Sequence, residues 1–114
     1  MTVEYTTFGD APTTLVQGGV DTASFTFDTP GADPAQAANL AFHTHPAGNA
    51  EIRVRINNTL VLTKLEVNTG QPIGIRENFV GAILDPVNPN TLRIDLTDGV
   101  NNIDVSDFMV TYKT

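Results

Sequence analysis

The chain of 114 residues has no cysteine, no tryptophan and few basic residues. Without cysteine there can be no disulfide, no thiolate nucleophile and no sulfur-ligated zinc or iron–sulfur centre. Its 6 Lys and Arg residues face 13 Asp and Glu residues, which gives a formal charge of −7. Because a protein that binds nucleic acid or anionic lipid needs a basic surface, neither is an expected partner, and neutral or cationic ligands fit better.

Long apolar runs are also missing, since none approaches the roughly 20 residues that a membrane span requires. The first four residues, Met1 to Glu4, do not resemble the start of a secretory signal. We therefore expect no membrane insertion, and we favour an extracellular or cell-surface location over a cytoplasmic one.

Hydrophobic residues make up 40% of the chain, and they recur with a period of two. The pattern is clearest at residues 51–56, where Ile52, Val54 and Ile56 alternate with charged side chains, as in a strand with one wet face. The pair Asn57-Asn58 suits a type I′ turn, so this strand is predicted to form a hairpin with residues 60–67. Further strands are predicted at residues 3–8, 14–17, 24–28, 39–44, 73–80, 91–96, 103–105 and 108–113.

Helical patterning is confined to residues 33–38, where Asp33 and Pro34 could begin one or two turns. Eight or nine antiparallel strands without crossover helices predict an all-β fold, an antiparallel β-sandwich of the jelly-roll type. With no linker or repeat in the sequence, residues 1–114 are expected to form a single domain. The predicted core consists of Phe25, Phe27, Leu40, Phe42, Ile52, Val54, Ile56, Leu60, Leu62, Leu92, Ile94, Leu96, Val110 and Tyr112.

Three segments resemble the galactose-binding-domain-like jelly roll, which recurs in carbohydrate-binding modules and in accessory domains of glycan-active enzymes. Residues 50–62 are similar to its strand–Asn turn–strand element. Residues 79–84, followed by Asn90-Thr91-Leu92-Arg93-Ile94, resemble a hydrophobic strand that leads into the next strand. Residues 102–112 resemble the closing strand. The resemblance implies a β-sandwich, and it implies a glycan as ligand, although the tryptophan that sugar-binding relatives often stack on a sugar ring is absent.

The densest polar segment is residues 95–107. Asp95, Asp98, Asp104 and Asp107 supply carboxylate oxygens around Gly99, and oxygen ligands are what Ca²⁺ prefers. Several relatives of the resembled fold hold a structural calcium, so these four residues are the candidate metal ligands. The alternative is that Asp98-Gly99 is an ordinary hairpin turn beside solvated carboxylates.

His43 and His45 alternate with the apolar residues of their segment and should share one exposed face of a strand. Their spacing could bind zinc or copper if a third ligand were supplied, but two solvated histidines that can hydrogen-bond a sugar are the simpler interpretation. Arg53 and Arg55 could grip a carboxylate or pair with acidic neighbours across the strands. The candidate ligand-binding residues are His43, His45, Arg53, Arg55, Asn101, Asn102 and Tyr112.

Signatures of catalysis are missing, since neither Ser24 nor Ser106 lies in a nucleophile elbow and no glycine-rich phosphate loop is present. We therefore do not expect an enzyme. The sequence favours a non-catalytic, lectin-like carbohydrate-binding module, with calcium dependence as an option. The alternative function is a self-assembling, homo-oligomeric subunit or an accessory domain of a surface or fibre protein, because few lysines block its strand edges.

Overall fold

The structure is a computed structural model that describes residues 2–66, 72–99 and 102–114. In the described part, nine strands and one 3-10 helix follow each other along the chain. They are β1 (Val3–Phe8), β2 (Thr13–Leu15), β3 (Thr22–Phe27), β4 (Ala38–Pro46), β5 (Ala50–Ile56), β6 (Thr59–Glu66), β7 (Ile73–Phe79), the 3-10 helix Gly81–Ile83, β8 (Asn90–Gly99) and β9 (Ile103–Lys113). No helix among these residues is long and apolar enough to span a membrane.

The strands form two antiparallel sheets packed face to face. The front sheet has the order β1-β9-β4-β7, with β2 also paired to β9, and the back sheet has the order β3-β8-β5-β6. Consecutive strands often lie in different sheets, as β8 and β9 do, so the chain crosses repeatedly from one layer to the other. The predicted all-β sandwich of the jelly-roll type is confirmed.

The core lies between the two sheets, where the inward residues of each strand meet. Ile52, Val54 and Ile56 are fully buried, as their alternation predicts. Aromatic rings fill one part of this layer: Phe108 stacks at 5.0 Å on Phe42 and at 5.4 Å on Phe8. Because burying a phenylalanine side chain contributes about 2–3 kcal/mol, this aromatic cluster contributes substantially to the stability of the sandwich.

The turn between β5 and β6 is the predicted one. Asn57 and Asn58 have φ values of 49° and 67°, which are the two positive values of a type I′ turn. The Asn57 side chain donates hydrogen bonds to Asn90 Oδ1 at 2.7 Å and to the carbonyl of Ile83 at 2.9 Å, and its own oxygen accepts one from the Thr91 amide at 3.0 Å. The hairpin is thereby attached to the start of β8.

Leu60 was predicted to lie in the core, and this is wrong. The pairing of β5 with β6 shifts register between Val54 and Arg55, which places Leu60 opposite Arg55 on the outer face. Because a slip of one residue moves a side chain to the other face of a sheet, Leu60 is 50% exposed.

The segment of residues 79–84 is not a continuous strand. Strand β7 ends at Phe79 and a 3-10 helix follows at Gly81–Ile83. The Gly81 backbone packs so closely against the chain before β4 that an added Cβ would lie 2.0 Å from the Gln36 carbonyl oxygen. Because any side chain would clash with this backbone, only glycine fits at position 81.

Two other local predictions are corrected. Residues 33–38 do not form a helix but a single turn, in which Asp33 accepts hydrogen bonds from the amides of Ala35 at 2.9 Å and Gln36 at 3.1 Å before β4 begins at Ala38. Asp98 and Gly99 are not a hairpin turn, because β8 continues to Gly99 and the next strand belongs to the other sheet.

Candidate functional site

A depression of about 490 Å³ lies on the outer face of the front sheet. Its position follows from side-chain size: Ala41 stands in register between Met109 and Arg76, and Gly74 stands beside His43. Two small residues flanked by large ones leave a hollow in the sheet surface. The side chains around this front depression are Thr7, Asp10, His43, Arg76, Asp107 and Met109.

His43 and Asp107 form the central polar pair of the front depression. His43 Nδ1 lies 3.2 Å from Asp107 Oδ2, and the two side chains are 58% and 52% exposed. Ser106 donates a second hydrogen bond to the same carboxylate oxygen at 3.0 Å. The hydrogen bonds from His43 and Ser106 outweigh partial burial and lower the pKa of the Asp107 carboxyl. When the Nδ1–H group donates its hydrogen bond to that carboxylate, Nε2 of the neutral imidazole is left as an acceptor.

A bulge in β9 produces this arrangement. The register of β4 on β9 shifts between Ala41 and His43, and Asp107 has a φ of 56°, in the left-handed region. Its amide donates to the Gly9 carbonyl at 2.9 Å, which holds the bulge against the turn after β1. Bulges often re-aim side chains at functional positions, and an aspartate tolerates this backbone conformation better than most residues.

Several residues at this face were not predicted from the sequence. Tyr5 is 70% exposed, and the alternation of β1 puts it on the same face as Thr7. Arg76 lies on β7 at the other side of the front depression. The alternation could have shown that these side chains point outward. That Arg76 borders the same depression as His43, and that Tyr5 and Thr7 lie on this face, depends on which strands are neighbours, which alternation does not reveal.

The other predicted ligand residues of the front sheet lie apart from the front depression. His45 is exposed and stands in register with Asp104, whose carboxylate accepts a hydrogen bond from Thr14. Asn102 is exposed and its side-chain oxygen accepts from the Gln17 amide at 3.2 Å. Tyr112 is 5% exposed and belongs to the core, as β9 alternation requires. Burial and the nearby Glu4 charge raise the pKa of Tyr112.

Arg53 and Arg55 lie on the opposite face of the molecule, on the outer side of the back sheet. Arg55 Nη1 donates to Asp95 Oδ2 at 3.1 Å, and Arg93 Nε donates to Asp95 Oδ1 at 2.9 Å. Arg53 lies 3.7 Å from Glu51. Pairing of these arginines with acidic neighbours, one of the two interpretations of the sequence, is therefore present.

Of the candidate calcium ligands, Asp95 is not brought together with Asp104 and Asp107 by the fold. Asp95 is on the back sheet. Burial alone would raise its pKa, but this effect is outweighed by hydrogen bonds from Thr22 and Arg93 and by the charges of Arg93 and Arg55, so the pKa of Asp95 is lowered. Asp104 and Asp107 are on the front sheet. A carboxylate already bound by two guanidinium groups does not fit a calcium site. Within the described ranges, no group of three or more His, Asp or Glu residues could hold a metal ion.

Two of the predicted site residues cannot be placed in full. Asn101 lies outside the described residues, and of Asp98 only the backbone is described, in register with Glu51 on the back sheet.

Comparison with known proteins shows similarity in structure and not in sequence. No protein-family model and no curated protein matches the chain. Among solved structures, the dimeric latent PorU from Porphyromonas gingivalis superposes with a TM-score of 0.72 at 11% identity, over 96% of this chain but 12% of PorU. This chain thus corresponds to a small part of that protein.

Two carbohydrate-binding modules match over almost their entire length. The CBM36-1 domain of a multidomain xylanase from the hindgut metagenome of Trinervitermes trinervoides gives a TM-score of 0.64 at 10% identity, over 99% of this chain and 98% of that domain. A CBM36 module in complex with calcium and xylotriose gives 0.61 at 15% identity, over 96% and 98% of the two chains. At these identities the likeness concerns the fold, and the chain shares the jelly-roll sandwich of these carbohydrate-binding modules.

Proposed function

We propose that this chain is a non-catalytic carbohydrate-binding module that binds a glycan at the front depression. The observation that carries the proposal is the hollow of about 490 Å³ on an exposed sheet face, bordered by hydrogen-bonding side chains. The full-length similarity to two modules of this class, one of them in complex with xylotriose, supports it.

The border of the front depression has the chemistry that a sugar requires. Arg76 only donates hydrogen bonds, the Asp107 carboxylate only accepts them, and Thr7 does both. Sugar hydroxyls also do both, so such a mixed set can fix their orientation.

Apolar contact is available beside these polar groups. Met109 borders the front depression, and the exposed Tyr5 lies on the same sheet face, two residues before Thr7. Because the chain has no tryptophan, Tyr5 is the residue that offers a flat aromatic ring for contact with a sugar on this face. Because the site is an open hollow and not an enclosed pocket, we expect weak single-site affinity, which suits multivalent display.

A glycan ligand is compatible with the negative charge of the chain, and it also indicates the location of the protein. A net charge of −7 does not repel a neutral glycan, whereas it opposes phosphate-rich partners. Because a glycan-binding module encounters polysaccharides mainly outside the cell, we propose an extracellular or cell-surface location.

The dependence of glycan binding on calcium can be tested directly. Asp95 is already paired with two arginines and lies on the opposite sheet from Asp104 and Asp107, so we propose binding that does not need calcium. A glycan array probed with the purified chain, once in millimolar calcium and once in chelator, should give the same hits in both conditions. Hits that need calcium would contradict the calcium-independent mode and direct attention to residues 98–107. A blank array in both conditions would overturn the proposal.

A pair of histidine variants tests the location of the site. His43→Ala removes the acceptor Nε2 together with the hydrogen bond to Asp107 and should weaken glycan binding about 2- to 10-fold, the worth of one hydrogen bond. His45→Ala is the matched control, because His45 is on the same strand and face but does not border the front depression. Equal effects of the two changes, measured by calorimetry, would place the site elsewhere.

The edge strand β1 favours self-assembly as a second candidate function. Val3 and Tyr5 are 61% and 70% exposed on a strand at the edge of the front sheet. Unprotected edges of this kind can pair with another copy. Sedimentation over a wide concentration range should then show association that Tyr5→Lys abolishes. A monomer at every concentration would remove this alternative.

A further inference from the structure

The back sheet carries a second depression, of about 430 Å³, at the end nearest the β5–β6 turn. Its lining consists of Ser24, Arg55, Asn57, Asn58, Thr91 and Arg93. All six side chains are polar and none is acidic, although acidic residues outnumber basic ones 13 to 6 in the chain. This arginine depression is therefore a local exception to the negative charge of the protein.

The two arginines are held side by side by the fold. Arg55 and Arg93 are cross-strand partners in the pairing of β5 with β8, and like charges in directly opposite positions repel each other. Asp95 is the carboxylate that bonds to both, at 3.1 Å and 2.9 Å. One negative charge compensates one of the two positive charges, so the group of three retains a net charge of +1.

Among the described residues, no acidic side chain other than Asp95 forms an ion pair with Arg55 or Arg93. The acidic side chain next along β5, Glu51, has its ion pair with Arg53 at 3.7 Å. Asp95 itself is 8% exposed and also accepts a hydrogen bond from Thr22 at 2.6 Å, so it acts as a fixed anchor beneath the guanidinium groups. An anion in the arginine depression would complete the charge balance.

Hydrogen-bonding capacity is also left over. A guanidinium group has five N–H donors, and Arg55 and Arg93 each use one on Asp95. Asn58, Ser24 and Thr91 can contribute amide and hydroxyl donors from the same lining. Fixed guanidinium groups with spare donors are the arrangement that recognises planar or tetrahedral oxyanions.

We propose that the arginine depression binds an oxyanion, namely the carboxylate or sulfate group of a small anionic ligand. The site lies on the opposite sheet from the front depression, so it does not depend on the proposed glycan site. The absence of glycan binding would leave it unaffected.

Titration of the isotope-labelled chain with sodium sulfate, and separately with sodium acetate, tests the proposal at constant ionic strength. The Nε–H NMR signals of Arg55 and Arg93 should shift and saturate at millimolar anion, whereas that of Arg53, which lies outside the arginine depression and pairs with Glu51, should not. Tighter binding of sulfate would identify a tetrahedral ligand group, and tighter binding of acetate a planar one.

Two variants make the result specific. Arg93→Gln should reduce the affinity at least 10-fold, while Arg53→Gln, outside the arginine depression, should leave it unchanged. Since Arg93 also holds Asp95, a second variant guards against a folding defect: Ser24→Glu puts a negative charge into the depression at an exposed position and should abolish binding while the fold persists. Shifts that do not saturate, that are equal at Arg53, or that survive both variants would overturn the proposal.

Discussion

The Asp107 carboxylate accepts a hydrogen bond from His43 Nδ1 over a distance of 3.2 Å. The backbone of Asp107 is in the left-handed region, with a φ of 56°. Uninterrupted alternation from the buried Ile103 and Val105 would turn residue 107 into the core. The bulge lets Asp107 face outward and returns Phe108 to the interior, where it is fully buried. The same irregularity therefore serves the candidate site and the aromatic core.

The backbone of this bulge predicts an ordering of two variants. Asp107→Gly and Asp107→Ala both remove the partner of His43, but only alanine is strained at a positive φ. We expect Asp107→Ala to be less stable than Asp107→Gly by about 1 kcal/mol in urea unfolding. Equal stability would mean that the bulge relaxes when the side chain is lost.

Asp95 predicts a pH-dependent contribution to stability. Burial raises its pKa, yet the hydrogen bonds from Thr22 and Arg93 and the charges of Arg93 and Arg55 bring it below the ordinary value of 3.8. A carboxyl whose pKa is lowered by folding stabilises the protein above its unfolded pKa, and this stabilisation disappears as the pH falls through the folded pKa.

Asp95→Asn should therefore lower the free energy of unfolding by about 1–3 kcal/mol at pH 7, and the difference from the parent should shrink below pH 3.8. Asp10→Asn is the control, because Asp10 is exposed and the described residues give it no ion pair. Urea unfolding of both variants, measured at intervals of ~1 pH unit between pH 2.5 and pH 7, tests this expectation. A deficit for Asp95→Asn that is the same at every pH would contradict the assigned pKa shift.

Asn90 should be the most sensitive polar residue of the back sheet. It is fully buried, donates to Thr29 Oγ1 at 3.0 Å, and accepts from the Asp85 amide and from Asn57, both at 2.7 Å. Asn90→Ala leaves these groups without a partner and should cost about 2–4 kcal/mol of unfolding free energy. The exposed Asn88→Ala should cost less than about 0.5 kcal/mol. A small effect at Asn90 would show that water replaces the lost contacts.

At Thr44, in contrast to Asn90, we expect a substitution to increase stability. Its side chain is 1% exposed, and within the described part of the chain its hydroxyl oxygen has no hydrogen-bond partner. Because an unpaired buried hydroxyl is unfavourable, Thr44→Val should raise the free energy of unfolding by about 1 kcal/mol. Thermal unfolding of the two proteins measures this difference, and a loss of stability would reveal a hydrogen bond made by the hydroxyl.

Local chemistry accounts for the parts of the fold that were predicted correctly. The alternation of Ile52, Val54 and Ile56 identified a strand and its buried face, and Asn57-Asn58 identified the turn that follows. Leu60 was misplaced because a register shift depends on how two strands meet. The alternation within a strand does not record such a shift.

In the candidate sites too, local sequence predicted single exposed residues but not which of them lie together. His43 was predicted from its exposed strand position, whereas Tyr5 and Arg76 were missed because β1 and β7 reach that face only through the sheet order. Arg55 was assigned to the ligand site of His43, but it lies on the other sheet, where the fold pairs it with Arg93 and Asp95.

By itself, the sequence determined the all-β class, the apolar face of most strands, the type I′ turn and the acidic character of the protein, because each depends on residues close together in the chain or on composition. The tertiary structure alone decided which strands are neighbours, where the bulge at Asp107 falls, and that Asp95 and Asp107 face opposite sides. These features depend on contacts between residues far apart in the chain, where packing of the whole core selects one register among several that local patterning allows.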